Sequence, residues 1–216
     1  MSTAVTTQST SFTEVARARR SVRTYDPTYK ISKEEMTELL NEAVTAPSSA
    51  NHQPWRFLVI DSQPLKEKLL PIAFNQQQVV EASAVIAVLG DLESHRMLET
   101  IFGRAVEAGY MPQETADSFV ANYTKMYTSV PPEVMKKIVY VDGGLVSMQI
   151  MLAAKARGLD TNPMGGYDAA KFVEAFGISE RYVPVMLIAI GKATKEGHPS
   201  IRLNADEVTS WNEFKF

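Results

Sequence analysis

Two continuous apolar runs constrain the fold of this chain more than any other feature. Residues 84–89 read Ala-Val-Ile-Ala-Val-Leu and residues 183–190 read Val-Pro-Val-Met-Leu-Ile-Ala-Ile, and each run is followed by a glycine and a charged residue. Apolar runs of this length without polar alternation indicate strands that are covered on both faces. Segments with helical periodicity lie between and around them, which predicts a sheet with helices on both sides.

Capping signals and hydrophobic spacing define the other expected elements. They are a short helix from Ser11 to Arg20, a helix from Ser32 to Val44, a strand from Trp55 to Asp61, a short helix from Pro64 to Leu70, a helical turn from Val79 to Ala82, a long buried helix from Val141 to Arg157 and a helix from Ala169 to Phe176 capped by Asp168. Residues 161–168 are predicted to form a loop, because they contain the glycine pair Gly165-Gly166.

The chain has 216 residues, which suits a single domain, and we predict one domain over residues 12–216. Residues 1–11 lack a basic segment followed by an apolar one, so they indicate a flexible N-terminal arm and not a signal peptide. Residues 92–129 are helical but irregular, which predicts a mobile excursion over a functional site. The tail, residues 198–216, mixes charges with aromatic residues that need another surface to bury against.

Composition excludes several kinds of chemistry. The sequence contains no cysteine, so any redox chemistry must come from a cofactor, and its three histidines lack metal-ligand spacing, so no metal site is predicted. A net charge of −3 and a pI near 5.7 do not fit a nucleic-acid-binding protein. The longest apolar run is too short for a membrane helix. We therefore expect a cytoplasmic protein that binds neither nucleic acid nor membrane.

The densest polar signal is a turn at the end of the first predicted helix. Arg19, Arg20, Ser21 and Arg23 place three guanidinium groups and a hydroxyl within five residues. This composition is typical of phosphate binding, because arginine forks chelate oxyanions and are weakly hydrated. A solvated charged turn is the alternative interpretation, since short basic clusters are frequent.

Two further polar segments have the composition of ligand-binding loops. Residues 47–55 read Pro-Ser-Ser-Ala-Asn-His-Gln-Pro-Trp, and residues 163–167 read Pro-Met-Gly-Gly-Tyr, where adjacent glycines allow backbone amides to approach a ligand. Ordinary turns are the alternative for both segments. The serine pair lacks the surroundings of a hydrolase triad, and the sequence has neither a Rossmann glycine motif nor a Walker loop.

Taken in order along the chain, these segments resemble the FMN-dependent nitroreductase family. The resemblance is carried by Arg-Arg-Ser-Val-Arg at 19–23, Ala-Pro-Ser-Ser-Ala-Asn-His-Gln-Pro-Trp-Arg-Phe at 46–57, Asn75 with Gln78, Pro-Met-Gly-Gly-Tyr at 163–167 and Arg202. It implies an α+β, three-layer fold with a mixed central sheet flanked by helices, and an intertwined homodimer in which the tail wraps the partner.

The same resemblance implies the roles of individual residues. The cofactor-binding residues would be Arg19, Arg20, Ser21, Arg23, Pro47, Ser48, Ser49, Asn51, Asn75, Gln78, Met164, Gly165, Gly166 and Arg202. Arg19, Ser21 and Arg202 would hold the FMN phosphate, while Arg23 would be the catalytic residue, a cation at the pyrimidine edge of the flavin. The segment from Pro47 to Asn51 would reach the flavin of the other subunit.

The implied reaction is ping-pong hydride transfer from NADH or NADPH through FMN to a nitroaromatic, a quinone or a similar acceptor. Ser200 departs from a basic residue that the resemblance implies in many relatives, and Gly165 and Gln78 depart from a glutamate and a lysine implied in some of them. Three alternatives follow: a reductase with one dedicated acceptor such as an enone, a flavin-binding redox sensor with little turnover, or a domain that binds some other phosphate.

Overall fold

The computed structural model of the chain describes residues 11–215. Its helices are α1 (Phe12–Ala18), α2 (Lys33–Ala43), α3 (Gln63–Ile72), α4 (Gln78–Glu81), α5 (Leu98–Glu107), α6 (Gln113–Thr128), α7 (Pro132–Ala156) and α8 (Ala169–Phe176). Its strands are β1 (Trp55–Ile60), β2 (Ala84–Asp91), β3 (Asp160–Met164) and β4 (Tyr182–Gly191). Short 3-10 turns cover Ser49–Asn51, Ser94–Met97 and Ala205–Val208.

The helix starts follow the predicted capping residues. Ser11 and Glu14 form a reciprocal capping box at α1, with the Ser11 amide donating to the Glu14 carboxylate over 2.8 Å. Ser32 accepts the amide of Glu35 at α2, and Asp168 caps α8 in the same way. The predicted N-terminal arm lies outside the described residues, apart from Ser11.

The four strands form one antiparallel sheet in the order β1-β2-β4-β3. Every residue of β2 is buried, as the first apolar run predicts for a central strand. A parallel component comes from the bridge between Ser21 and Thr161, which brings the segment after α1 to the outer edge of β3. The α+β class expected from the sequence is confirmed.

The sheet separates two hydrophobic cores, because successive side chains of a strand point to opposite faces. Val85 of β2 packs in the same cluster as Phe172 of α8, together with residues of α3 and α4. Ile86 packs on the other side with Ile150 of α7 and with residues of α2. Burial on both faces explains the lack of polar alternation in β2.

Two element predictions were wrong in part. Residues 161–168 were expected to form a loop, but Asp160–Met164 is a strand that pairs with β4 from Gly191 to Leu187. Asn and Pro disfavour strands locally, so this strand depends on pairing that only the fold supplies. The long helix was expected from Val141 but begins at Pro132, where a proline fits the first turn.

Among the described residues, α7 is the one helix long and apolar enough, by length and composition alone, to cross a membrane. However, 44% of that 18-residue window is buried inside the protein. The helix packs against β2, β3 and β4 and contributes Val146 and Ile150 to the core. The opposite side exposes Val141, Leu145 and Met148, which form an apolar strip on the surface.

Candidate functional site

The arginine turn is positioned by the end of α1. The helix ends at Ala18, and Arg19 takes an extended conformation that turns the chain toward the sheet. The Nε atom of Arg19 is buried and has no hydrogen-bond partner among the described residues. Burial lowers the pKa of Arg19, and the neighbouring positive charges of Arg202 and Arg20 lower it further. The charge of Arg202 thus acts on Arg19, although the two residues are far apart in the chain.

Ser21 and Arg20 are held by backbone contacts. The amide of Val22 donates to the carbonyl of Thr161 over 3.0 Å, and Ser21 forms the bridge to the same residue. The Arg20 guanidinium donates to the carbonyls of Arg17 and Arg19, at 2.6 and 3.1 Å. Arg20 thus caps the C-terminal end of α1, a role that its place in a basic cluster did not suggest.

Arg23 is presented on a rigid stretch of backbone. The flanking residues Val22 and Tyr25 are buried, and the Tyr25 hydroxyl donates to the carbonyl of Val22 over 2.9 Å. The Arg23 side chain is exposed and makes no hydrogen bond or ion pair within residues 11–215. Its backbone is fixed while its cation is available to a ligand.

A second polar group lies where β3 ends. Gln78 is buried, and its side-chain amide contacts the sulfur of Met164 at 3.5 Å and the Gln76 side chain at 2.9 Å. Gln76 in turn donates to the carbonyl of Gly166 over 2.9 Å. Gly165 and Gly166 face open space, since a Cβ added at either would meet no atom within 4 Å. The fold thus brings Gln78 to the glycine pair as a preorganised polar edge.

Gln76 and Asn75 complete this edge. Asn75 is exposed and takes a left-handed conformation with a φ of 57°, after Phe74 at 53°. Asparagine tolerates that region better than most residues. Sequence reasoning did not name Gln76, although it stands between two residues of the resemblance and bridges the α4 and β3 sides of the site.

The loop from Pro47 to Gln53 forms the third part of the site. Within it Ala50, Asn51 and Gln53 have positive φ angles of 47°, 53° and 48°. The Ser48 hydroxyl accepts the amide of Gln53 over 3.0 Å and closes the loop on itself. No hydrogen bond or ion pair joins this loop to the arginine turn or to the glycine pair within residues 11–215 of one chain.

Sequence reasoning assigned no role to two buried residues, one within the loop and one beneath it. His52 lies against Tyr127 with ring centroids 3.7 Å apart, and its Nδ1 is 3.2 Å from the Ser94 hydroxyl. Burial, together with the charge of His95, lowers the pKa of His52 to about 4.

The second of these residues is Asp142 on α7, whose carboxylate accepts hydrogen bonds from Ser49. The sequence feature that could have identified Asp142 is a single acidic residue within the apolar helix predicted from Val141 to Arg157.

Known proteins resemble this chain over the segments that form the candidate site. The model of the nitroreductase family matches residues 16–192, which include the arginine turn, the loop and the glycine pair. The chain belongs to the nitroreductase family.

Similar proteins cover nearly the whole chain. YdgI of Bacillus subtilis (strain 168), named as a candidate NAD(P)H nitroreductase, is 57% identical over 202 residues, which are 93% of this chain and 97% of that protein. The crystal structure of a candidate nitroreductase in complex with FMN, from Exiguobacterium sibiricum 255-15, has a TM-score of 0.90 and 54% identity, covering 94% of this chain and 98% of that one. The CLA biosynthesis enone reductase of Lactiplantibacillus plantarum is 36% identical over 196 residues, with 89% and 90% covered.

Proposed function

We propose that this protein is an FMN-dependent oxidoreductase that uses NADH or NADPH to reduce electron-poor small molecules. The observation that carries the proposal is the buried Nε of Arg19, which lacks a partner in the described part of the chain and lies near the charge of Arg202. A phosphate dianion is the complement of such a group. Membership of the nitroreductase family and the FMN complex of a relative support this choice of ligand.

The residues present fit FMN in their chemistry. Arg19, Ser21 and Arg202 would bind the phosphate, with Arg20 shaping the turn on which they stand. Asn75, Gln78 and the Met164–Gly166 backbone would border the flavin ring, because they offer an amide edge beside open space. Bound FMN supplies the hydride chemistry, accepting hydride from NAD(P)H and passing it to the acceptor.

Arg23 would stabilise negative charge at the pyrimidine edge of the cofactor. A preorganised cation acts strongly where charge develops during a reaction, because no reorganisation is needed at that moment. Arg23 meets this requirement, since the buried residues on either side of it hold its backbone in place while its side chain is exposed. We assign no side chain as a proton donor.

We further propose a homodimer with shared sites in the cytoplasm. Within the described residues, the loop from Pro47 to Asn51 forms no hydrogen bond or ion pair with the arginine turn or the glycine pair of its own chain, and the resemblance implies that it reaches the partner's flavin. The strip of Val141, Leu145 and Met148 and the exposed Trp211 of the tail offer apolar surface for that association. Under this proposal the tail wraps the partner subunit.

The acceptor would enter after the oxidised nicotinamide leaves, in a ping-pong sequence. The helices α5 and α6 pack on each other through Phe102, Phe119 and Tyr123, and we propose that they cover the acceptor. Nitroaromatics and quinones are the acceptors we propose first. An enone belongs in the same test, because the enone reductase of L. plantarum is a relative.

The visible spectrum of the purified protein, before and after anaerobic addition of NADH or NADPH, tests the proposal. We expect flavin bands that bleach with one nucleotide or both and return with a quinone, nitroaromatic or enone. Bands that do not bleach would favour a flavin-binding sensor. A protein that stays colourless after reconstitution with FMN would contradict the proposal.

Arg23→Ala tests the catalytic assignment. We expect flavin reduction to slow more than FMN binding weakens, because the cation is proposed to act on charge that develops during reduction. Arg23→Lys is the matched control, since it retains the positive charge. An unchanged rate of flavin reduction in Arg23→Ala would remove Arg23 from its proposed role.

A further inference from the structure

Asp142 is a buried carboxylate on an apolar helix. It is 1% exposed, and its neighbours on the inner face of α7 include the buried Val139 and Val146. Within residues 11–215 it forms no ion pair. Burying a carboxylate without a cation is unfavourable unless hydrogen bonds replace its hydration. The hydrogen-bond donors that contact Asp142 therefore indicate why a carboxylate occupies this buried position.

Those partners belong to one residue of the loop. The Ser49 amide donates to Oδ1 and Oδ2 at 3.2 and 3.1 Å, and the Ser49 hydroxyl donates to Oδ1 at 3.2 Å. Ser49 begins the 3-10 turn that ends at Asn51. Asp142 thus takes the place of an N-terminal cap for this turn, supplied by a helix far along the chain.

The loop needs such support because its backbone is strained. Ala50, Asn51 and Gln53 are all in the left-handed region, where a non-glycine residue costs about 1 kcal/mol or more and asparagine less than most. Such conformations persist only when surrounding contacts over-determine them. Ser48 closes the outer side of the loop, and Asp142 holds its inner side.

We propose that Asp142 is a positioning residue that holds the loop from Ser48 to Asn51 in the conformation that meets the flavin of the partner subunit. This inference rests on the proposed function for its link to FMN. Asp142 itself touches neither cofactor nor substrate; it acts through Ser49. Pro47 and Asn51 are exposed on the side of the loop that faces away from the core.

Asp142→Ala, Asp142→Asn and the control Ser147→Ala test the proposal. Ser147 is buried on the same helix and donates to the carbonyl of Gly143 over 2.6 Å, so its replacement removes a buried hydrogen bond without touching the loop. Two quantities are measured: hydrogen exchange of the loop amides in the apo protein, and the FMN dissociation constant.

In Asp142→Ala we expect loop exchange to rise and FMN affinity to fall, each by roughly tenfold or more, because the Ser49 donors lose their acceptor. Asp142→Asn keeps one acceptor oxygen, so its loop exchange and its FMN affinity should lie between those of Asp142→Ala and those of the unmodified protein. Ser147→Ala should leave both near the values of the unmodified protein. Equal values in Asp142→Ala and Ser147→Ala would overturn the proposal.

Ser49→Ala keeps the test decisive if Asp142→Ala does not fold. This variant removes the hydroxyl donor and keeps the amide donor, so we expect a smaller rise in loop exchange than in Asp142→Ala. Combined with Asp142→Asn it should raise loop exchange by less than the sum of the two separate effects, and fully additive effects would overturn the proposal. Loop exchange in the apo protein does not depend on FMN, so a protein that binds no flavin would refute the proposed function alone. A loosened loop with unchanged FMN affinity would overturn the link to the flavin.

Discussion

Replacing Gly143 with alanine measures how closely α7 rests on the sheet. A Cβ at this position would lie 2.8 and 2.9 Å from the two methyl carbons of Val185 on β4, and 3.2 Å from its Cβ. Valine is β-branched and has few rotamers, so it cannot move aside without shifting the backbone. Alanine at 143 should therefore push the helix that carries Asp142 away from the strand.

Two opposing effects set the change in the free energy of unfolding that Gly143→Ala causes. Overpacking of a well-packed core costs about 1 to 3 kcal/mol, whereas replacing glycine by alanine inside a helix gains about 1 kcal/mol. Gly103 of α5 is the matched control, because a Cβ there meets no atom within 4 Å. The propensity gain is common to both variants, so Gly143→Ala should be less stable than Gly103→Ala by the overpacking effect, about 1 to 3 kcal/mol.

Urea unfolding of the apo protein, followed by circular dichroism at one fixed protein concentration, provides the comparison. The second change Val185→Ala should recover part of the loss in the Gly143→Ala background, since it removes the two methyl carbons that the new Cβ meets. Equal stabilities of Gly143→Ala and Gly103→Ala would refute the reasoning that α7 and β4 are in contact at this glycine.

Three further predictions concern the site and the assembly. Arg202→Ala should raise the FMN dissociation constant about 10- to 100-fold, because it removes the charged hydrogen bond proposed for the phosphate. The control Arg104→Ala, on α5, should leave the dissociation constant unchanged. Full retention of flavin by Arg202→Ala on dialysis would count against a phosphate-binding role for Arg202. Burial lowers the pKa of His52 in the folded protein to about 4, so the unfolded chain binds the proton first as the pH drops from about 6.5 to 4. The free energy of unfolding should therefore fall by up to about 3 kcal/mol over this range. Urea titrations in which His52→Phe shows the same acid dependence would contradict this. Deleting residues 211–216 should loosen the dimer, and a truncated protein that stays dimeric at nanomolar concentration in ultracentrifugation would refute that expectation.

Local signals in the sequence were sufficient for most of the secondary structure. Ser11, Ser32 and Asp168 cap helices where they were expected, because a capping bond joins residues only three apart. The central strand β2 was recognisable because burial on both faces removes polar alternation. The strand β3 was missed, since its Asn162 and Pro163 are held by pairing with β4 and not by local preference.

The sequence by itself determined the chemistry of the proposed site, and the tertiary structure decided its geometry. The basic turn at Arg19, the loop at Pro47 and the glycine pair were visible because residue type and short spacing limit what such segments can bind. The electrostatic effect of Arg202 on Arg19 and the capping of Ser49 by Asp142 involve residues far apart in the chain. No local pattern specifies such contacts, because they depend on how α7, the sheet and the C-terminal segment pack together.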